Sequence, residues 1–154
     1  MQSTSLCGVD VPAPMVRLAC DDVLPVMSWR RAFPGDPKQG KRARDFARVL
    51  LVDHPRVADI LAVIAELFAN AVCHSASGSP GGLVVLELRR WRRGVAVAVI
   101  DQGGPTEPVV RTVDETLDAL AEGGRGLLTV GAYATWWCCR GDSRGRTVTA
   151  FFGE

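Results

Sequence analysis

Three polar residues, Glu66, Asn70 and His74, recur every four positions within an otherwise apolar stretch, AELFANAVCHS (65–75). On an α-helix, residues four apart lie one turn above each other, so these side chains form one ridge beside the apolar face. The ridge has two interpretations: a hydrated boundary between core and solvent, or the wall of a site. In a site, the carboxylate acts as a base and the amide oxygen is a ligand for a hard cation.

A second candidate is the segment VAVAVIDQGGP (95–105), in which a β-rich run delivers Asp101 and two glycines follow. A carboxylate at that position can accept a hydrogen bond from an exocyclic amine, and Gly103 and Gly104 let the backbone turn closely around the ligand. The alternative is an aspartate that ends a strand in an ordinary β-turn.

A third candidate is EGGRGLLTVG (122–131), in which Gly123, Gly124 and Gly126 precede a helical pattern. Unpaired N–H groups at the start of a helix bind anions, and Arg125 adds a charged donor. The alternative is a glycine-rich loop with a solvated arginine. The stretch is not a P-loop, because no Gly-Lys-Ser/Thr follows it.

Hydrophobic periodicity predicts the elements that must position these residues. We expect a strand over 28–35, then a helix over 41–53 introduced by Asp36 and Pro37, and a longer helix over about 56–75. A hairpin follows over 83–100, then a glycine-bounded insertion over 101–126 with an acidic helical piece at 113–122. A helix from 127 to 136 and a closing hairpin complete the chain. This order predicts an α+β fold: a two-layer α/β sandwich with a mixed, mostly antiparallel sheet and helices on one face.

ELFANAVCH, DQGGPTEP and GGRGLLTV, in that order, resemble the three nucleotide-binding boxes of the GHKL (Bergerat-fold) ATPase superfamily. The chain is most similar to the small anti-sigma regulatory factors with serine/threonine kinase activity, whose strand ending in FPG and following ARxF helix match residues 32–35 and 43–46. The resemblance covers residues 28–154, which we predict to be one histidine-kinase-like ATP-binding domain. Residues 1–27 are predicted to be a loosely ordered extension.

The resemblance implies roles for the candidate residues. Asn70 would coordinate Mg²⁺ that bridges the ATP phosphates, and Glu66 would orient or deprotonate the attacking hydroxyl. The adenine amino group would be held by Asp101, with Gly103 permitting close approach of the base. The remaining predicted nucleotide-binding residues are Gly124, Arg125 and Gly126, which would close over the phosphates, and Thr147 on the last strand, near adenine.

The same resemblance implies the partners: a sigma factor, and a small anti-anti-sigma antagonist that is phosphorylated on serine or threonine. It is also compatible with a homodimer. The alternative is a non-catalytic regulatory module of the same fold that holds a sigma factor or an antagonist. A histidine kinase proper is disfavoured, because the chain has two histidines and no separate helical domain to present one.

Composition sets the remaining expectations. The 154 residues have a formal net charge of +1 and 47% hydrophobic residues, which is ordinary for a globular domain and gives no global field toward nucleic acid. We see no apolar run long enough for a membrane span, and the first ten residues lack the order of a secretory signal. Five cysteines without CxxC spacing predict reduced thiols in a cytoplasmic protein.

Two other constellations have alternative interpretations. The pair Cys73-His74 with Cys138-Cys139 has the right ligand types for zinc, but its spacing follows no zinc pattern. Trp136 and Trp137 are adjacent in a predicted strand, so one ring should face the core and the other should face outward, where it would suit a protein interface.

Overall fold

The structure, a computed structural model, describes residues 27–105 and 125–153. The predicted N-terminal extension therefore lies outside the described residues except for Met27, which begins the first strand. The predicted acidic helical piece at 113–122 and Gly124 also lie outside them.

Five strands form one sheet in the order β1-β2-β3-β5-β4. They are β1 (Met27–Pro34), β2 (Leu83–Trp91), β3 (Gly94–Asp101), β4 (Trp136–Asp142) and β5 (Gly145–Gly153). The predicted hairpins β2-β3 and β4-β5 are confirmed, and β3 also pairs with β5. All four pairings among the described residues are antiparallel, whereas the sequence predicted a mixed sheet with some parallel pairing.

Three α-helices accompany the sheet: α1 (Gln39–Leu50), α2 (Val57–His74) and α3 (Arg125–Tyr133). The sequence predicted Asp36 as the N-cap of α1, but the N-cap is Lys38 and its side chain makes no capping hydrogen bond. Asp36 Oδ1 accepts from the Lys38 N–H at 2.8 Å in the turn that precedes the helix. The predicted break at His54-Pro55 separates α1 from α2. A short 3₁₀-helix, Ala76–Gly78, follows α2.

The helices cover one face of the sheet, as predicted, so the fold is a two-layer α+β sandwich. The core lies between α2 and the alternating residues of the strands that face it. Its largest fully buried side chains include Phe68, Ile60 and Ile64 from α2 and Leu86, Leu88, Val97 and Phe152 from the sheet. Phe33 contacts Phe68 edge to face, with 6.2 Å between ring centroids, which fixes the first strand against α2.

Helix α2 is 18 residues long and apolar enough, with a mean hydropathy of 1.7, to cross a membrane by length and composition alone. The helix is not an unbroken apolar run, because Asp59 and Glu66 interrupt it. The length and hydropathy have another explanation, because six residues of α2 are buried in the core against the sheet and the other helices. They are Ile60, Val63, Ile64, Leu67, Phe68 and Ala71.

The opposite face of the sheet carries Trp136, whose ring lies against Phe151 with 4.8 Å between centroids. Trp137 packs against the core on the helix side. The predicted split of the two tryptophans across the sheet is therefore confirmed, and it follows from the two-residue period of the strand.

Candidate functional site

The ridge predicted from the sequence lies on the half of α2 nearest its C-terminus. Glu66 and Asn70 are half-buried, and His74 is the last residue of the helix with an exposed side chain. The neighbouring residues Leu67 and Ala71 are buried in the core. Because the ridge flanks the buried face, Glu66 and Asn70 lie at the border between the core and an open surface.

The start of α3 lies directly on this ridge. A methyl group placed on the Cα of Gly126 would lie 3.0 Å from Glu66 Oε2, 3.1 Å from Asn70 Nδ2 and 3.2 Å from Asn70 Oδ1. These distances are shorter than ordinary carbon contacts, so a methyl group at this position would displace the ends of both side chains by a few tenths of an ångström. The structure thereby brings together three predicted site residues that are up to 60 positions apart in the chain.

Asp101 ends β3 and begins a tight turn. The N–H of Gly103 donates to Asp101 Oδ1 at 2.6 Å. The backbone of Gly103 has a φ of +74°, which residues other than glycine rarely adopt. A methyl group there would lie 2.2 Å from the carbonyl oxygen of Ser143. Gly103 is therefore required by the turn itself.

Two hydrogen bonds fasten this turn to the segment that follows α2. The N–H of Ala76 donates to the Gly103 carbonyl at 2.7 Å, and the N–H of Gln102 donates to Ser77 Oγ at 2.9 Å. Ser77 is fully buried. The turn that carries Asp101 is thus held against the C-terminal end of the helix that carries Glu66 and Asn70.

The sequence analysis missed one residue of this region, Arg146. It pairs with Asp101 in the β3-β5 register and is 6% exposed. Its Nε lies 3.7 Å from Asp101 Oδ1, and its Nη2 donates to the His74 carbonyl at 3.2 Å. Arg146 therefore connects the carboxylate at the end of β3 to the end of α2.

The other predicted residues are less closely associated with the ridge. Thr147 pairs with Ile100, so strand alternation turns its side chain to the face of the sheet opposite Asp101 and Arg146. Arg125 is the first residue of α3, which puts its backbone beside Gly126. Gly124 lies outside the described residues.

The donor set suits a nucleotide-bound magnesium ion better than a zinc ion. Mg²⁺ is commonly bound through one or two oxygen ligands of the protein together with substrate phosphates, and the Asn70 amide oxygen next to the Glu66 carboxylate fits that pattern. Within the described parts of the chain, no group of three or more His, Cys, Asp or Glu side chains could hold a metal. Cys138 and Cys139 alternate along β4, which removes the geometry of the zinc alternative.

Together these groups offer backbone donors, an amide and two carboxylates around the C-terminal half of α2. The beginning of α3 supplies N–H groups that lack helical partners, beside an amide and a carboxylate. Asp101 supplies an acceptor at the other end, across the C-terminal turn of α2. The arrangement is suited to orienting phosphates and accepting a proton rather than to covalent catalysis.

Comparison with known proteins agrees with this geometry. A family model described as a histidine kinase-like ATPase domain matches residues 33–151, which is most of the chain and contains Glu66, Asn70, Asp101 and Gly126. Comparison with curated protein sequences finds no match.

Two solved structures have a similar fold. One contains the RsbU and RsbW domains of Rv1364c from Mycobacterium tuberculosis, with a TM-score of 0.58 and 20% identity over 84% of this chain and 33% of that one. The other is the SiaB-SiaC complex from Pseudomonas aeruginosa, with a TM-score of 0.52 and 12% identity over 92% of this chain and 99% of that one. At these identities the likeness concerns the fold. The chain spans a third of the length of the first of these structures.

Proposed function

The chain belongs to the histidine kinase-like ATPase domain family, and on that premise we propose that it is an ATP- and Mg²⁺-binding serine/threonine protein kinase of the anti-sigma-factor type. Its substrate would be a serine or threonine of a small anti-anti-sigma antagonist, and its regulatory target a sigma factor. The observation that carries the proposal is that Gly126, at the start of α3, lies directly against the side-chain ends of Glu66 and Asn70.

Each residue then has a chemical task. The Asn70 amide oxygen would hold Mg²⁺, which when bound neutralises charge on the phosphates. Glu66 would take the proton of the attacking hydroxyl, while a new oxygen–phosphorus bond forms to the γ-phosphorus and ADP leaves with the bridging oxygen. Asp101 would accept a hydrogen bond from the adenine amino group, and the backbone of Arg125 and Gly126 would meet the phosphates.

The partners and the compartment belong to the same proposal. One similar structure is a complex of two proteins, SiaB and SiaC, and the other contains two domains of one protein. We therefore propose protein partners, with a homodimer compatible with the fold, and no direct contact with nucleic acid or membrane. A cytoplasmic location would bring the protein together with a sigma factor.

Titration calorimetry with ATP, in the presence and absence of Mg²⁺, tests the nucleotide site. Asn70→Ala should weaken binding in Mg²⁺ much more than in EDTA, because it removes only the ligand to the metal. Asp101→Asn should weaken binding under both conditions. Cys73→Ser is a matched control, since this side chain lies on the same helix and is exposed. Wild-type protein that binds no ATP, or unchanged binding in both variants, would contradict the nucleotide assignment.

A non-catalytic module is the second candidate, and the position of Glu66 favours it. Its Oε2 lies beside the beginning of α3, where a carboxylate stabilises a helix through the N-terminal end of the helix dipole. In that case Glu66 would hold α3 in place without accepting a proton. The protein would then capture a sigma factor or an antagonist with nucleotide serving only as a structural ligand.

Transfer of the γ-phosphate from radiolabelled ATP to a candidate antagonist distinguishes the two. For a kinase, Glu66→Gln should abolish transfer while ATP binding stays within a few fold. For a module, the wild-type protein transfers nothing, and Glu66→Gln alters the stability of the domain but not the capture of the partner.

A further inference from the structure

Arg146 is the only arginine that the structure buries within residues 27–105 and 125–153. It lies at the start of β5, next to the exposed turn that joins β4 to β5. Arg144 in that turn has an 89% exposed side chain and pairs with Asp142. A long cationic side chain so close to a turn can usually reach solvent, so its inward orientation needs a physical reason.

The reason lies in the groups that surround its guanidinium. Burial of a charge is costly unless the charge is paired and hydrogen-bonded. Asp101 provides the opposite charge at 3.7 Å, and the His74 carbonyl accepts a hydrogen bond at 3.2 Å. The last carbonyls of a helix lack partners within the helix, so Arg146 satisfies an acceptor at the end of α2 while it neutralises Asp101.

Within residues 27–105 and 125–153, the polar contacts of Asp101 are made through Oδ1. Oδ1 accepts from the Gly103 N–H and faces Arg146 Nε, so a base bound at this site would meet Oδ2. The turn thus holds Oδ1 through a hydrogen bond, and β5 holds it through the positive charge of Arg146.

We propose that Arg146 is a positioning residue that determines base specificity, acting through Asp101 to select purines with an amino group at position 6. The inference rests on the proposed ATP site and adds to it a residue that the motifs do not contain. Without Arg146, the Asp101 carboxylate keeps only the hydrogen bond from Gly103 and its orientation is less well defined. A base with the amino group then binds with little more affinity than a base without it.

The same arginine connects the base site to the phosphate site. Its hydrogen bond to the His74 carbonyl lies one helical turn beyond Asn70. A methyl group on Gly104 would lie 2.7 Å from that carbonyl oxygen and 3.1 Å from Arg146 Nη2, so the turn packs on this junction as well. Arg146 thus keeps Asp101 in register with the ridge on α2.

The test compares ATP with purine riboside triphosphate, which has hydrogen in place of the 6-amino group. A hydrogen bond to a charged acceptor predicts that wild-type protein prefers ATP by roughly tenfold or more. Arg146→Met should lower ATP affinity and leave the analogue nearly unchanged, so the preference falls to about threefold or less. Arg146→Lys should keep more of the preference because it retains the charge. Arg144→Met is the control on the exposed side of the same turn.

The outcomes separate this inference from the proposed function. If wild-type protein binds neither nucleotide, both fall. If it binds ATP and Arg146→Met weakens both nucleotides equally, or keeps the full preference for ATP, only the role of Arg146 is refuted. Should Arg146→Met not fold, Arg146→Gln, which removes the charge but keeps a hydrogen-bond donor, takes its place in the same comparison.

Discussion

Gly126→Ala is the substitution that examines the candidate site most directly. The added methyl group would meet Glu66 Oε2 at 3.0 Å and the Asn70 amide at 3.1 to 3.2 Å. Both contacts are to the ends of side chains, which can move by a few tenths of an ångström at little cost in stability. Alanine also gains up to about 1 kcal/mol over glycine in a helix interior. We therefore expect the free energy of unfolding to stay within about 1 kcal/mol of wild type.

Binding of Mg²⁺-ATP should respond differently from stability. Binding groups must be held within about 0.5 Å of their productive positions, and the substitution uses a large part of that margin at the proposed metal ligand and the proposed base together. We expect affinity for Mg²⁺-ATP to fall about tenfold, which corresponds to about 1.4 kcal/mol. The measurement is titration calorimetry with Mg²⁺-ATP beside urea unfolding of the same preparations.

Gly131→Ala is the matched control, because it adds the same methyl group to the same helix. Its nearest neighbour would be Trp137 Nε1 at 3.8 Å, an ordinary contact, so it should leave nucleotide affinity unchanged. Equal affinities of Gly126→Ala and wild type, within twofold, would refute the reasoning that the start of α3 contacts the working ridge. A large loss of stability in Gly126→Ala would refute the claim that the contacts are easily relieved.

Three further predictions concern the scaffold. The side-chain hydrogen bonds from Arg90 lower the pKa of Asp53 to about 2. The stabilisation by ionised Asp53 is therefore present above about pH 4 and is lost as the pH falls toward 2. In acid unfolding, Asp53→Asn should reduce the pH dependence of the free energy of unfolding in that range. Arg56 donates to the Tyr133 carbonyl at the end of α3. Arg56→Ala should therefore lower the free energy of unfolding, measured in urea, by about 2 kcal/mol, and Arg56→Lys should restore less than half of that loss. Phe68 is 1% exposed, and Phe68→Ala should cost about 4 kcal/mol in the same assay. The Asp53 assignment would be contradicted if the free energies of unfolding of Asp53→Asn and wild type differed by the same amount at every pH. The other two would be contradicted if Arg56→Ala or Phe68→Ala lowered the free energy of unfolding by less than about 0.5 kcal/mol.

Most of the elements could be predicted from the sequence because their signals are local. Helix α2 has apolar residues at three- and four-residue spacing, and the hairpin β2-β3 has two β-rich runs around a short turn. Such patterns depend on neighbours within one or two turns, which a sequence displays directly.

The assembly of the site depends on longer distances. Gly126 contacts Glu66 and Asn70 because α3 packs on α2, and no local pattern near 126 reveals which helix it will meet. The resemblance to a known family provided that association, by placing the two stretches in one site. Periodicity alone left the ridge open to the alternative of a hydrated boundary.

In the last strand, the family resemblance and the alternation of side chains point to different residues: the resemblance implies Thr147 near adenine, and the alternation favours Arg146. In RTVTAFF the residues that face the core are Val148, Ala150 and Phe152, which a two-residue period already favours. The same period puts Arg146, rather than Thr147, on the face of Asp101. The role of Thr147 near adenine stays a prediction, and it now requires a ligand to reach the far face of the sheet or the strand to twist at its end. Arg146 needs neither condition, because it already shares the face of Asp101. Measuring the preference for ATP over purine riboside triphosphate in Arg146→Met and in Thr147→Val decides which of the two adjacent residues acts on the base.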